Sequence, residues 1–247
     1  AGRLCLELSS EPAPFEEVKQ FCEQYLKYSV NTSHKLFGNQ LWSKVDGASL
    51  VGEILASVSN TSMYTYEVAP VATILEHTMI EKLNQKIWKT SGDGIMTSGG
   101  TASNLQAILT ARNVFFENAK TQGMMGQAAI ITSKGSHYSV ARAANILGIG
   151  TQNCLEVEPN DRGQMTVEGV KKKLAFAQTE GKKVFCLIST AGTTVHGSYD
   201  NIDELAEFCK EEGIWLHIDG AYGANVLLSQ KHKELMKGIE KADSLSW

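Results

Sequence analysis

Asp219 closes the run Ile214-Trp215-Leu216-His217-Ile218, whose mainly apolar residues predict a strand. Side chains alternate along a strand, so His217 and Asp219 share one face. A buried carboxylate at a strand's carboxyl end needs a cationic partner. A protonated ring nitrogen on a bound cofactor meets that need and keeps the ring electron-withdrawing. A salt bridge, or an N-cap on the following segment, meets it equally well.

Three further clusters sit at the ends of predicted elements. Ser98-Gly99-Gly100-Thr101-Ala102-Ser103-Asn104 lies between a strand end and a helix start. Glycines permit close backbone approach, and free N–H groups with small hydroxyls at a helix start hold phosphate. A tight turn with a Ser or Thr cap explains the same residues. The run is not a Walker A loop and lacks the dinucleotide-binding spacing. His137 precedes an Ala-rich helix, where a solvated or capping histidine is the plain alternative. Ser189-Thr190-Ala191-Gly192-Thr193-Thr194 follows the apolar run Val184-Phe185-Cys186-Leu187-Ile188. Open α/β sheets bind ligands at such strand ends, although a polar loop would look the same.

The elements that must position these residues follow from periodicity. A linker through Pro12 and Pro14 leads to a helix from about Phe15, with Val18, Phe21, Cys22 and Tyr25 on one face. Residues 31–47 read as a loop. Pro70 starts a helix carrying Val71, Ile74, Leu75 and Met79. A helix with Leu105, Ile108, Leu109, Arg112 and Phe116 follows the glycine pair. Strands are predicted at 129–132, 155–158, 184–188 and 214–218, with a strand-like end at 244–247. Helices follow Thr166, a plausible N-cap, and cover Ile202 to Cys209, ended by Gly213. This alternation predicts an α/β fold: a mostly parallel sheet with helices on both faces.

Composition excludes several classes. The net charge of −4 supplies no basic footprint for nucleic acid, and no apolar run reaches membrane-span length. Five separated cysteines without a Cys-x-x-Cys pair argue against a disulfide framework or a metal site. Cys186 and Cys209 read as small core residues, and a reducing, cytoplasmic setting is expected.

Taken in order, these clusters resemble the group II pyridoxal-phosphate (PLP) decarboxylases, which act on glutamate, cysteine sulfinate and aromatic amino acids. The likeness runs from about Phe15 to the end of the chain. Phe37-Gly38-Asn39-Gln40, residues 60–70 and Leu227-Leu228-Ser229-Gln230 place it nearest the acidic-substrate branch. The resemblance implies a fold-type-I large domain over residues 31–247, incomplete at both ends, preceded by a linker and helix over 1–30. It implies a homodimer taking a small amino acid as substrate. It further implies that Thr101, Ala102 and Ser103 hold the phosphate, His137 stacks on the ring, Thr194 lies near its edge, Asp219 pairs with the ring nitrogen and Ala221 packs beneath. Phe37, Asn39 and Gln40 would line the substrate side. His137 and Asp219 would be the catalytic pair. Gly38 stands where relatives often carry an aromatic residue, which implies a wider substrate pocket. The family's Schiff-base lysine would come a few residues beyond Trp247, so the isolated chain is expected to be inactive. Another PLP enzyme of the same fold, or a non-catalytic subunit, are the alternatives.

Overall fold

The first three short apolar runs after residue 127 become parallel strands because each is followed by an amphipathic helix that crosses back over the sheet. The computed structural model describes residues 10–38, 40–42, 44–88, 92–123 and 126–247. The chain divides into two units, Ala1–Thr61 and Ser62–Trp247. The sequence reading drew its boundary at residue 30.

The first unit carries α1 (Phe15–Tyr28) and α2 (Gly47–Ser59). Helix α1 starts where expected, after Pro14. Its apolar stripe is exposed, however, and neither helix has a buried residue. Helix α2 has no counterpart in the sequence reading. Its signal was Asp46, whose carboxylate accepts from the N–H groups of Ala48 and Ser49 at 2.9 and 3.2 Å.

The second unit opens with α3 (Pro70–Ile87), with Pro70 in the first turn. There follow α4 (Gly100–Phe115), the short α5 (Ala119–Gln122), β1 (Ala128–Ser133), α6 (Ser139–Ile146), β2 (Cys154–Val157), α7 (Val167–Thr179), β3 (Lys183–Thr190), α8 (Ile202–Glu212), β4 (Trp215–Asp219) and β5 (Ser244–Ser246). The sheet order is β2-β1-β3-β4-β5, and every strand pairing is parallel. Thr166 caps α7 by accepting from the Gly169 N–H, and Gly213 ends α8 at φ +64°.

The two faces of the sheet bury separate cores. Ala129, Ile131, Leu187, Leu216 and Ile218 pack with α7 and α8. Ile130, Phe185, Cys186 and Ile188 pack with Ile108 and Ala111 of α4 and Val140 and Ala143 of α6. Phe185 and Cys186 are neighbours yet face the same way, because the β1–β3 register slips between Ala129 and Ile130. Cys186 and Cys209 are core residues as expected, and desolvation pushes the Cys209 thiol up to about 12.

The strand end expected just before the glycine-rich run is absent: the residues from 94 to Thr97 join no sheet among the described residues. The Met96 N–H instead donates to Glu76 Oε1 of α3 at 2.7 Å, so the glycine-rich turn follows an extended run held by a helix. No helix among the described residues is long and apolar enough to cross a membrane.

Candidate active site

Strand β1 has β2 on one side and β3 on the other, so the chain reverses direction across the sheet there. Crevices of this kind, outside the carboxyl ends of strands, are where open α/β sheets bind ligands. The ends of β1 and β3 are tied together by hydroxyls: Thr132 Oγ1 lies 2.6 Å from Ser136 Oγ, which lies 3.3 Å from Thr190 Oγ1. The end of β3 is tied to β4 by the Ala191 N–H, which donates to the Asp219 carbonyl at 2.9 Å.

Asp219 is buried at 6% exposure. Its Oδ2 accepts from Asn104 Nδ2 at 2.8 Å and its Oδ1 from the Ala221 N–H at 3.2 Å. No cation of the described residues forms an ion pair with it. This is the unmet electrostatic demand that the sequence pointed to.

Asn104 sits one turn into α4 and is 1% exposed. Its Nδ2 also donates to Ser139 Oγ at 2.9 Å, and that hydroxyl lies 2.9 Å from His137 Nδ1. Its Oδ1 accepts from Ser246 Oγ at 2.7 Å and lies 3.0 Å from His217 Nε2. His217 is on the same face as Asp219, as alternation requires. Burial pushes its pKa down to about 4, with the Asp219 charge and Ser244 opposing that shift. It is therefore neutral near pH 7.

The start of α4 presents open donors. Gly99, at φ +137°, occupies the N-cap without a side-chain bond. The Ala102 and Ser103 N–H groups turn back to the Gly99 carbonyl. Those of Gly100 and Thr101 meet no acceptor among the described residues, nor do the hydroxyls of Thr101 and Ser103. A Cβ on Gly100 would come within 2.9 Å of Ala221 Cβ, so the bare glycine lets the end of β4 approach this turn. Thr101, Ala102, Ser103 and His137 are half-buried, whereas Thr194 and Ala221 are exposed. Phe37 and Gln40 belong to the first unit, where the Phe37 ring lies 5.7 Å from that of Trp42. Asn39 lies outside the described residues. A cleft of about 420 Å³ borders Gly99, Gly100 and Ser103 from the side of α3, but neither Asp219 nor His137 lines it.

The sequence reading missed Asn104, Ser139, His217 and Ser246 as parts of the site. Asn104 had a signal. It falls in the buried stripe of Asn104, Ile108 and Ala111, where one polar residue interrupts an apolar face.

An all-parallel sheet covered on both faces, with a buried unpaired carboxylate beside an open helix start, defines a cofactor-binding α/β domain. The chain belongs to the pyridoxal-dependent decarboxylase family, whose conserved domain matches residues 3–247. It is 39% identical to human cysteine sulfinic acid decarboxylase over 246 residues, 99% of this chain and 50% of that protein. It is 40% identical to the bovine acidic amino acid decarboxylase GADL1, again over 99% of this chain and 47% of the other. The crystal structure of mouse CSAD in apo form superposes with a TM-score of 0.96 at 39% identity, covering 99% of this chain and 52% of that one. The glutamate decarboxylase domain of a Vibrio parahaemolyticus protein superposes at 0.91 with 31% identity, covering 97% of this chain and 54% of that chain. The chain thus spans about half the length of the curated relatives it matches.

The family's cofactor fits the residues present. Asp219 is a buried carboxylate lacking a cation, and the α4 start offers unpaired N–H and O–H donors without a competing carboxylate among their described partners.

Proposed function

We propose that this chain supplies the cofactor-binding part of a PLP-dependent α-decarboxylase that acts on a small acidic amino acid. The observation that carries the proposal is Asp219, buried without a cation at the carboxyl end of a parallel strand and held in place by Asn104. When bound, PLP supplies an electron sink for the electron pair left as CO2 departs. Asp219 holds a proton at the ring nitrogen, which keeps that sink effective. The N–H groups of Gly100 and Thr101, with the Thr101 and Ser103 hydroxyls and the backbone at Ala102, bind the phosphate at the positive end of α4. By the family resemblance His137 would stack on the ring, Ala221 would pack beneath it and Thr194 would lie near its edge. The roles of Phe37, Asn39 and Gln40 on the substrate side rest on the family resemblance, as does the acidic substrate class.

A homodimer in a reducing, cytoplasmic setting completes the proposal. Helix α1 exposes Phe15, Val18, Phe21 and Tyr25, and α2 exposes Leu50, Val51, Ile54 and Leu55, which supports a protein partner for these faces. The free thiols of Cys22, Cys154, Cys186 and Cys209 agree with that setting.

The test is CO2 release by the complete gene product, loaded with PLP, from cysteine sulfinate, aspartate, glutamate and an aromatic amino acid. Turnover confined to the acidic substrates is expected. Preference for the aromatic one, or no PLP absorbance, overturns the proposal.

A further inference from the structure

The buried polar groups around Asn104 form a chain of hydrogen bonds whose direction is determined at one end. Trp215 Nε1–H can only donate, and it donates to Ser244 Oγ at 2.8 Å. Ser244 Oγ also lies 2.9 Å from His217 Nδ1. The Ser244 oxygen keeps a second lone pair, so the position of the His217 proton is decided at the other ring nitrogen. The neutral His217 ring then carries its proton on Nε2, which faces Asn104 Oδ1 at 3.0 Å. A flipped amide would set its oxygen against the Asp219 carboxylate, which only accepts, so Oδ1 faces His217 Nε2 and accepts from Ser246 Oγ. Both hydrogens on Nδ2 are thereby directed at Asp219 Oδ2 and Ser139 Oγ. Ser139 Oγ, now an acceptor, has its proton free for His137 Nδ1 at 2.9 Å. The Ser139 backbone N–H, which can only donate, points at the same Nδ1 at 3.3 Å.

We propose that Asn104 and Ser139 are positioning residues that transmit a donor direction fixed by the Asp219 carboxylate to His137, holding its ring in one tautomer with the proton on Nε2. The same amide that orients Asp219 thus also orients His137, so the two residues assigned to the cofactor ring are set by a single side chain. This deepens the reading above, because it rests on His137 and Asp219 being the groups that meet the ring. A structural polar cluster would need only satisfied atoms. A tautomer-setting relay requires a particular donor order, and the acceptor-only Asp219 carboxylate and the donor-only Ser139 backbone N–H agree on one.

The test is nitrogen-15 NMR of the ring nitrogens in the chain labelled at histidine, with His137→Gln and His217→Gln identifying the two residues among six. Both rings are expected as single tautomers protonated at Nε2. Ser139→Ala removes the shorter 2.9 Å donor and keeps only the 3.3 Å backbone one, and it is expected to raise the share of the Nδ1-protonated tautomer of His137 while leaving His217 unchanged. A proton on Nδ1 of His137 in the unaltered chain overturns the proposal, and so does a His137 spectrum unaffected by Ser139→Ala. The readout needs no cofactor. A chain that fails to bind PLP would sink the functional reading and leave this result standing, and the reverse holds equally.

Discussion

The Asn104 amide lies 2.8 Å from the Asp219 carboxylate, although 115 residues separate them in the chain. The contact joins the first turn of α4 to the last residue of β4. It places an oriented dipole, rather than a cation, beside a buried carboxylate. The site is therefore left with a negative charge that a ligand can answer.

Replacing Asp219 by Ala removes that charge. In the complete gene product, kcat is expected to fall by about 10²–10³-fold, the range seen when a preorganised electrostatic partner is lost. KM should change much less. Steady-state kinetics with the acidic substrates checks this, and an unchanged kcat would count against a role for Asp219 at the ring.

His217 makes stability depend on pH. Its pKa falls from 6.5 to about 4 on folding, so the unfolded chain binds the proton more readily between those values. Its contribution is complete above pH 6.5 and is lost progressively as pH drops toward 4. Urea unfolding of the wild-type chain and of His217→Gln, compared across this window, isolates the effect from Asp200 and Asp243. Those two carboxyls are raised by burial and act in the opposite sense. Parallel pH curves for the two proteins would contradict the assignment.

Asp200 braces the crevice at the end of β3. It accepts from the N–H groups of Met165 and Thr190 at 2.7 and 2.8 Å, and from Ser189 Oγ at 3.3 Å. Asp200→Ala leaves two buried N–H groups unpaired, at about 1–3 kcal/mol each. A loss of about 3 kcal/mol or more in chemical denaturation is expected. A loss below about 1 kcal/mol would mean that water replaces the carboxylate.

Gly223 leaves no room for a side chain. A Cβ there would lie 2.2 Å from the Ala191 carbonyl oxygen and 2.6 Å from Tyr199 Oη. Gly223→Ala must push apart the segments following β3 and β4. Destabilisation of about 1–3 kcal/mol or more is expected. Thermal unfolding tests this, and a neutral substitution would show that the contact gives way freely.

Much of the fold and part of the site were legible because they rest on local rules. Apolar runs located β1 to β4, Thr166 and Gly213 bounded their helices, and alternation put His217 and Asp219 on one face. Local patterns also suggested what turned out otherwise: the run before the glycine pair read as a strand end, but its Met96 N–H bonds to Glu76 of α3. The apolar stripes of α1 and α3 form helices as periodicity requires, yet Val18, Phe21, Val71 and Ile74 face outward in the structure. Periodicity reports which residues share a face and is silent on what covers it.

The amino-acid sequence by itself determined the alternating α/β plan, the shared face of His217 and Asp219 and the place of the glycine turn at a helix start, since each follows from patterns a few residues long. Only the tertiary structure decided that Asn104 meets Asp219 and that Ser139, His217 and Ser246 meet Asn104. Their meeting depends on the β2-β1-β3-β4-β5 order and on which face α4 and α6 cover. Crossover connections set those features through packing between distant segments, and no local pattern encodes which polar atoms will then find each other.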